Sequence, residues 1–188
     1  FIMEKLSAMG ITGLRKEPIG SGGDAELEAL LSGRCDAVVG TPPECIEAHR
    51  KGCRYLVDFA EYGLNYALGG IAARRDYVEE SPETTRKFIT AYLEGMHRYR
   101  TDREFTVNVQ AEYSGIADRT VAEETYDLTQ PGMPPVPYPV VASLQTLLEF
   151  MAGELPEAKN ACARQFVDDR FIRELETSGF IAALAKSS

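Results

Sequence analysis

Apolar residues recur along this chain with two different periods. Over residues 1–9, Phe1, Ile2, Leu6 and Met9 share one stripe and Gly10 follows, which predicts a short helix with a glycine stop. Leu14 to Ile19 is extended and ends in Gly20-Ser21-Gly22-Gly23. Leu27, Leu30 and Leu31 then restore the helical period, with Ser21 or Asp24 placed to cap the helix and Gly33 to close it. Asp36-Ala37-Val38-Val39-Gly40 is short, apolar and β-branched, the composition of a buried parallel strand. Thr41-Pro42-Pro43-Glu44 opens a helix running to about Lys51, with Gly52 as its terminator, and Tyr55 to Phe59 reads as a second strand. Strand, helix, strand, helix, strand is the order of an α/β layered domain.

Beyond this point the pattern turns helical. Leu68 to Arg74 is one more extended segment, and Ser81-Pro82-Glu83 starts the most regular helix, with Phe88, Ile89, Tyr92, Leu93 and Met96 on one face. Helices are predicted over about 103–113 and 118–129, then a break at residues 130–135. Leu144, Leu147, Leu148 and Met151 mark another amphipathic helix. Phe166, Phe171, Ile172 and Leu175 mark a helical tail to Ser178-Gly179, with one more turn from Phe180 to Leu184. So many helices usually cover a larger sheet than three or four strands make. The expected organisation is an α/β domain over residues 1–70 and a return strand with a helical part over 71–188, with further strands and helices expected upstream of Phe1.

Composition narrows the function. A formal net charge of −9 argues against broad nucleic-acid binding, which needs clustered Lys and Arg. Arg50, Lys51, Arg54, Arg74 and Arg75 are interspersed with acids and read as a solvated surface. No apolar run approaches the roughly 20 residues of a membrane span. Cys35, Cys45, Cys53 and Cys162 form no C-x-x-C pair, and His49 and His97 stand at no metal-ligand spacing, so no metal or cofactor is expected. A Cys45–Cys53 bridge stays open at this level. Neither histidine has a Ser, Cys or Asp partner at a telling spacing, which leaves no catalytic set.

Several stretches resemble a known family. Glu28-Ala29-Leu30-Leu31-Ser32-Gly33-Arg34-Cys35-Asp36-Ala37 is similar to its helix-to-strand signature, A-L-x-x-G-x-x-D-A. Ala48-His49-Arg50-Lys51-Gly52-Cys53-Arg54-Tyr55-Leu56-Val57-Asp58, in which a helix ends at Gly and a strand leads to Asp, resembles the segment that follows. Ile71 to Tyr77 with Ser81-Pro82-Glu83 resembles the return strand and long helix, and Val167 to Leu175 with Ser178 to Ile181 the closing helix. The family is the ABC-transporter substrate-binding proteins of the type II periplasmic-binding fold, in the branch that handles sulfonates, nitrate, taurine and pyrimidine precursors of thiamine. The resemblance implies a three-layer α/β lobe with a helix-rich C-terminal portion, residues 1–70 belonging to the second lobe and much of lobe 1 missing. It implies capture of a small anionic or heterocyclic solute in an inter-lobe cleft and delivery to the membrane permease of an ABC importer, in the periplasm or lipid-anchored outside the inner membrane. Alternatives on the same fold are the effector domain of a LysR-type regulator, or a pyrimidine-precursor synthase or aromatic-acid decarboxylase.

Two turns carry the candidate site, because ligands of open α/β sheets sit beyond strand ends near helix N-termini. Gly20-Ser21-Gly22-Gly23 converges backbone N–H groups at a helix start, either as a receptor for an acidic ligand group or as a tight turn capped by Ser21. Asp24, directly after it, speaks against a strongly anionic ligand. The resemblance places Thr41, in the Gly40-Thr41-Pro42 turn, facing the cleft. Asn65 and Tyr66 are further candidates, as an amide and an aromatic wall, with ordinary packing as the alternative for Tyr66. Arg74 and Arg75, adjacent on a predicted strand, face opposite ways, so at most one reaches a cleft. The candidate ligand-binding set is Ser21, Gly22, Gly23, Thr41, Asn65 and Tyr66.

Overall fold

Glycine and proline punctuation decides where this chain turns helical. The computed structural model describes residues 2–8, 10–20, 22–62, 67 and 69–187. It divides into two compact units, Phe1–Tyr55 and Leu56–Ser188.

In the first unit, α1 (Ile2–Ala8) ends where Gly10 takes a positive φ of 79° and the Ile11 N–H turns back to the Leu6 carbonyl at 2.9 Å. Next, α2 (Gly23–Leu31) closes on Gly33, with φ 75°, and the Cys35 N–H satisfies the Ala29 carbonyl at 3.1 Å. The third helix, α3 (Glu44–Arg50), follows the Pro42-Pro43 turn. Leu27 and Ala29 of α2 and Ile46 and Ala48 of α3 are buried, and the two helices pack together.

The second unit is built around α5 (Pro82–Thr101), which follows the short α4 (Arg75–Glu80) and has proline at its first position, where a missing N–H does no harm. Two carboxylate caps then set the next helices. Asp102 accepts from the Phe105 N–H at 3.0 Å to start α6 (Arg103–Ser114), and Asp118 accepts from the Thr120 N–H at 2.8 Å to start α7 (Arg119–Thr129). The core holds Leu93 from α5, Val107 from α6, and Val121, Ala122, Thr125 and Tyr126 from α7. The buried Thr125 hydroxyl is satisfied by the Val121 carbonyl at 2.8 Å. Further along, α8 (Val141–Met151) packs on the 3-10 turns Pro156–Asn160 and Ala163–Phe166. Finally α9 (Arg170–Thr177) and α10 (Phe180–Leu184) return to α5, burying Phe171, Ile172 and Leu175.

The helical expectations hold, except that Phe166, expected on the closing helix, lies in the 3-10 turn before it, and the strand expectations do not hold. The predicted α/β lobe has no strand among the described residues. Backbone groups of residues 14–19, 36–39, 56–57 and 70–73 make no hydrogen bond among the described residues, so each segment is extended without a ladder there. A strand is stable only through its partner, and Leu56, 78% exposed, shows the apolar cost of lacking one. Phe59, predicted to end a strand, instead opens a 3-10 turn, Phe59–Tyr62. Arg74 and Arg75 are not strand neighbours either. Arg74 precedes α4 and pairs with Asp76, while Arg75 begins α4 and donates to the Gln165 carbonyl at 3.0 Å. The helix α4 itself, with Tyr77 exposed and no residue buried, leaves no apolar period to read.

Exposed ion pairs tie these helices together and give the second unit an acid limit. Arg103 donates to both carboxylate oxygens of Asp127, at 3.1 and 2.9 Å, and holds that carboxyl below the usual carboxylate range. Arg173 donates to one carboxylate oxygen of Asp169 at 2.8 Å and likewise holds that carboxyl below the usual range. A carboxyl depressed in the folded state contributes stability that is fully present above its unfolded pKa, about 4, and lost as pH falls through the folded value. The urea midpoint of the second unit should therefore be flat from neutral pH down to about pH 4 and fall below it, each exposed pair contributing modestly. A midpoint that stays level well below pH 4 would contradict this.

Candidate functional site

The two turns singled out above meet at the start of two helices. Gly22 stands before α2 with φ 111° and ψ 146°, a conformation open to glycine, and no side chain caps the helix. Thr41, exposed, leads into α3, its carbonyl accepting from the Cys45 N–H at 3.1 Å. The first residue of α3 is Glu44, and its carboxyl group lies directly against the α-carbon of Gly23, the first residue of α2. A β-carbon at position 23 would overlap the Glu44 side chain, so glycine is what lets the carboxylate approach.

This contact defines the electrostatics of the site. A helix N-terminus carries about half a positive charge, and Glu44 supplies the negative group that the Gly20–Gly23 turn was expected to take from a ligand. Glu44 is half-buried and has no hydrogen-bond or ion-pair partner among the described residues. Asp24 and Glu26 add two further carboxylates in the first turn of α2. A group entering here meets an acceptor rather than a row of free donors. The expected cap from Asp24 is not made, because no described side chain bonds the α2 N-terminus, and the alternative cap, Ser21, lies outside the described residues.

Gly22, Gly23 and Thr41 thus belong to one neighbourhood, while Ser21, Asn65 and Tyr66 lie outside the described residues. Sequence reasoning missed Glu44, which it read as the opening of a proline-initiated helix. Its one signal is that it stands three residues after Thr41, on the helix that the turn launches.

Around the rest of α3 the polar groups are engaged structurally. The His49 Nδ1–H donates to the Cys53 carbonyl at 3.1 Å, and the ring stacks on Tyr55 at 5.0 Å between centroids. The Tyr55 hydroxyl donates to the Cys45 carbonyl at 3.1 Å. Cys45 lies in the first turn of α3 and Cys53 three residues beyond its last, and all four cysteines are free thiols. Among the described residues no group of three or more His, Cys, Asp or Glu side chains is placed to hold a metal ion. No helix among them is long and apolar enough to cross a membrane.

The family model described as NMT1/THI5 like matches residues 6–103, just over half of the 188 residues. The chain belongs to this family. The NMT1/THI5-like proteins comprise substrate-binding proteins of ABC transporters, which are mostly not enzymes, and thiamine-precursor synthases. Membership implies a periplasmic-binding-like fold. The matched stretch contains Gly22, Gly23, Thr41 and Glu44, and it ends at the first residue of α6. Residues 167–181, where the sequence also resembles the family's closing helix, lie beyond it and form α9 and α10. No curated protein and no solved structure gives a significant match to the chain.

Proposed function

We propose that this NMT1/THI5-like protein captures a small nitrogen heterocycle with hydrogen-bond donors, at the start of α2 and α3, for delivery to an ABC importer outside the inner membrane. The observation that carries the reading is the Glu44 carboxylate lodged against Gly23 without a partner among the described residues. A half-buried carboxylate that lacks donors is costly, and a ligand offering an amino group or ring N–H relieves that cost through charge-assisted hydrogen bonds. A sulfonate or nitrate would bring a second negative charge to the same place. Of the solutes the family resemblance suggests, the heterocyclic ones therefore fit better than the oxyanions.

The reading is of a binder rather than a catalyst. Near α3 the imidazole of His49 is engaged structurally, by the Cys53 carbonyl and the Tyr55 ring. We further propose that residues 1–70 form the second-lobe domain and that residues 71–188 belong largely to lobe 1. In that arrangement the extended segments become strands of a parallel sheet. Their unpaired backbone groups and β-branched residues support this, since both are what such a sheet consumes.

Thermal denaturation with added solutes tests the function. A 4-aminopyrimidine should raise the melting temperature by several degrees at saturation, because binding at a hundredfold excess over Kd is worth about 2.7 kcal/mol. Taurine and nitrate should leave it unchanged. A shift with taurine or nitrate and none with the heterocycle would reverse the assignment.

A further inference from the structure

Two glycines of the turn before α2 are there for different reasons. Around Gly22 an added β-carbon would meet nothing within 4 Å, and its positive φ of 111° is what disfavours other residues. Gly23 is the reverse case. Its φ lies outside the left-handed region, and it is the first residue of α2, where helix propensity favours alanine. A β-carbon there would lie 2.6 Å from the Glu44 Cγ and closer still to the carboxyl group. No other described glycine would bring a β-carbon within 3.4 Å of a neighbour. Departures from local preference of this kind concentrate at functional sites.

The space left by Gly23 is filled by one side chain. Cγ, Cδ and Oε1 of Glu44 occupy the place that a β-carbon would take. The carboxylate has no hydrogen-bond or ion-pair partner among the described residues, so room and the positive start of α2 are what hold it there. Behind the contact, Leu27 and Ala29 of α2 and Ile46 and Ala48 of α3 are buried. The flexible end of Glu44 therefore yields before the packed helices do.

We propose that Gly23 is a positioning residue: its missing side chain seats the Glu44 carboxylate at the start of α2, and the seat decides which class of solute the site prefers. With the seat open, an incoming solute meets an acceptor, which favours an amino group or ring N–H. With the seat filled, the carboxylate swings away and the penalty on an oxyanion falls. The solute preference rests on reading the start of α2 and α3 as the ligand site; the seating does not.

Carbodiimide labelling of carboxylates on the whole chain, read residue by residue by mass spectrometry, tests the seating without a ligand. Gly23→Ala should speed modification of Glu44 several-fold and leave Glu47, which pairs with Lys51 on the same helix, as it was. Titration calorimetry with 4-aminopyrimidine and with taurine tests the preference. Gly23→Ala should weaken the heterocycle about tenfold, the scale of one charge-assisted hydrogen bond, and strengthen taurine. In a Glu44→Ala background, which lacks the atoms a β-carbon would meet, Gly23→Ala should alter neither affinity. Damage to the turn itself would persist in that background and weaken both solutes together. Should Gly23→Ala alone lose the fold by circular dichroism, recovery of the fold on adding Glu44→Ala would show the same exchange of space, and no recovery would refute it. Unchanged labelling of Glu44, or an effect of Gly23→Ala that survives Glu44→Ala, would overturn the proposal. If the parent bound neither solute, the capture function would fall, and the labelling would still decide the seating.

Discussion

Replacing Glu44 by Gln is expected to weaken binding of a 4-aminopyrimidine roughly ten- to a hundredfold. A hydrogen bond to a charged group contributes about 1.5–3 kcal/mol, and about 1.4 kcal/mol is a factor of ten in Kd. The amide keeps the volume and one acceptor, so the loss isolates the charge. The same substitution removes the repulsion that an oxyanion meets at the α2 N-terminus, so taurine or nitrate should gain affinity as the heterocycle loses it. Stability should change little, since the carboxylate has no partner to lose among the described residues. Titration calorimetry on both variants checks this crossing of preferences. Parallel losses for both solute classes would mean that Glu44 holds the turn and does not choose the ligand.

Leu93→Ala should be the most destabilising single truncation on α5, at about 2–5 kcal/mol. Leu93 is 3% exposed, on the helix against which α6, α9 and α10 all pack. Removing a side chain this buried opens a cavity in the core, and a domain's whole stability is about 5–15 kcal/mol. Phe88, on the same helix and in the same predicted apolar stripe, is 54% exposed. Phe88→Ala should therefore stay within about 1 kcal/mol of the parent. Urea unfolding of the two variants distinguishes the faces. Similar losses would mean that Phe88 is covered in solution.

That contrast shows what periodicity can and cannot convey. The stripe Phe88, Ile89, Tyr92, Leu93 and Met96 identifies an amphipathic helix, and α5 forms over it. Only packing against other elements decides that Leu93 is buried while Phe88 and Tyr92 stay exposed. Helix ends were legible for a local reason. Glycines at positions 10, 33 and 52 adopt positive φ, which other residues avoid, and they fall where the helices stop. Strand formation was not legible, because an extended apolar run specifies a strand only once a partner backbone meets it.

The candidate site divides in the same way. The residues themselves determined a glycine turn before α2, a Thr-Pro-Pro turn before α3, and the family signature around Ala29 to Ala37, because each depends on conformations and spacings within a few residues. Tertiary structure alone decided that Glu44 meets Gly23, across 21 positions of chain. Packing of α2 on α3 brings the two helix starts together, and the missing side chain at Gly23 leaves room for the carboxylate. A long-range contact of that kind leaves no period and no motif in the sequence. It turns a turn that reads as an anion receptor into one whose acceptor is already built in.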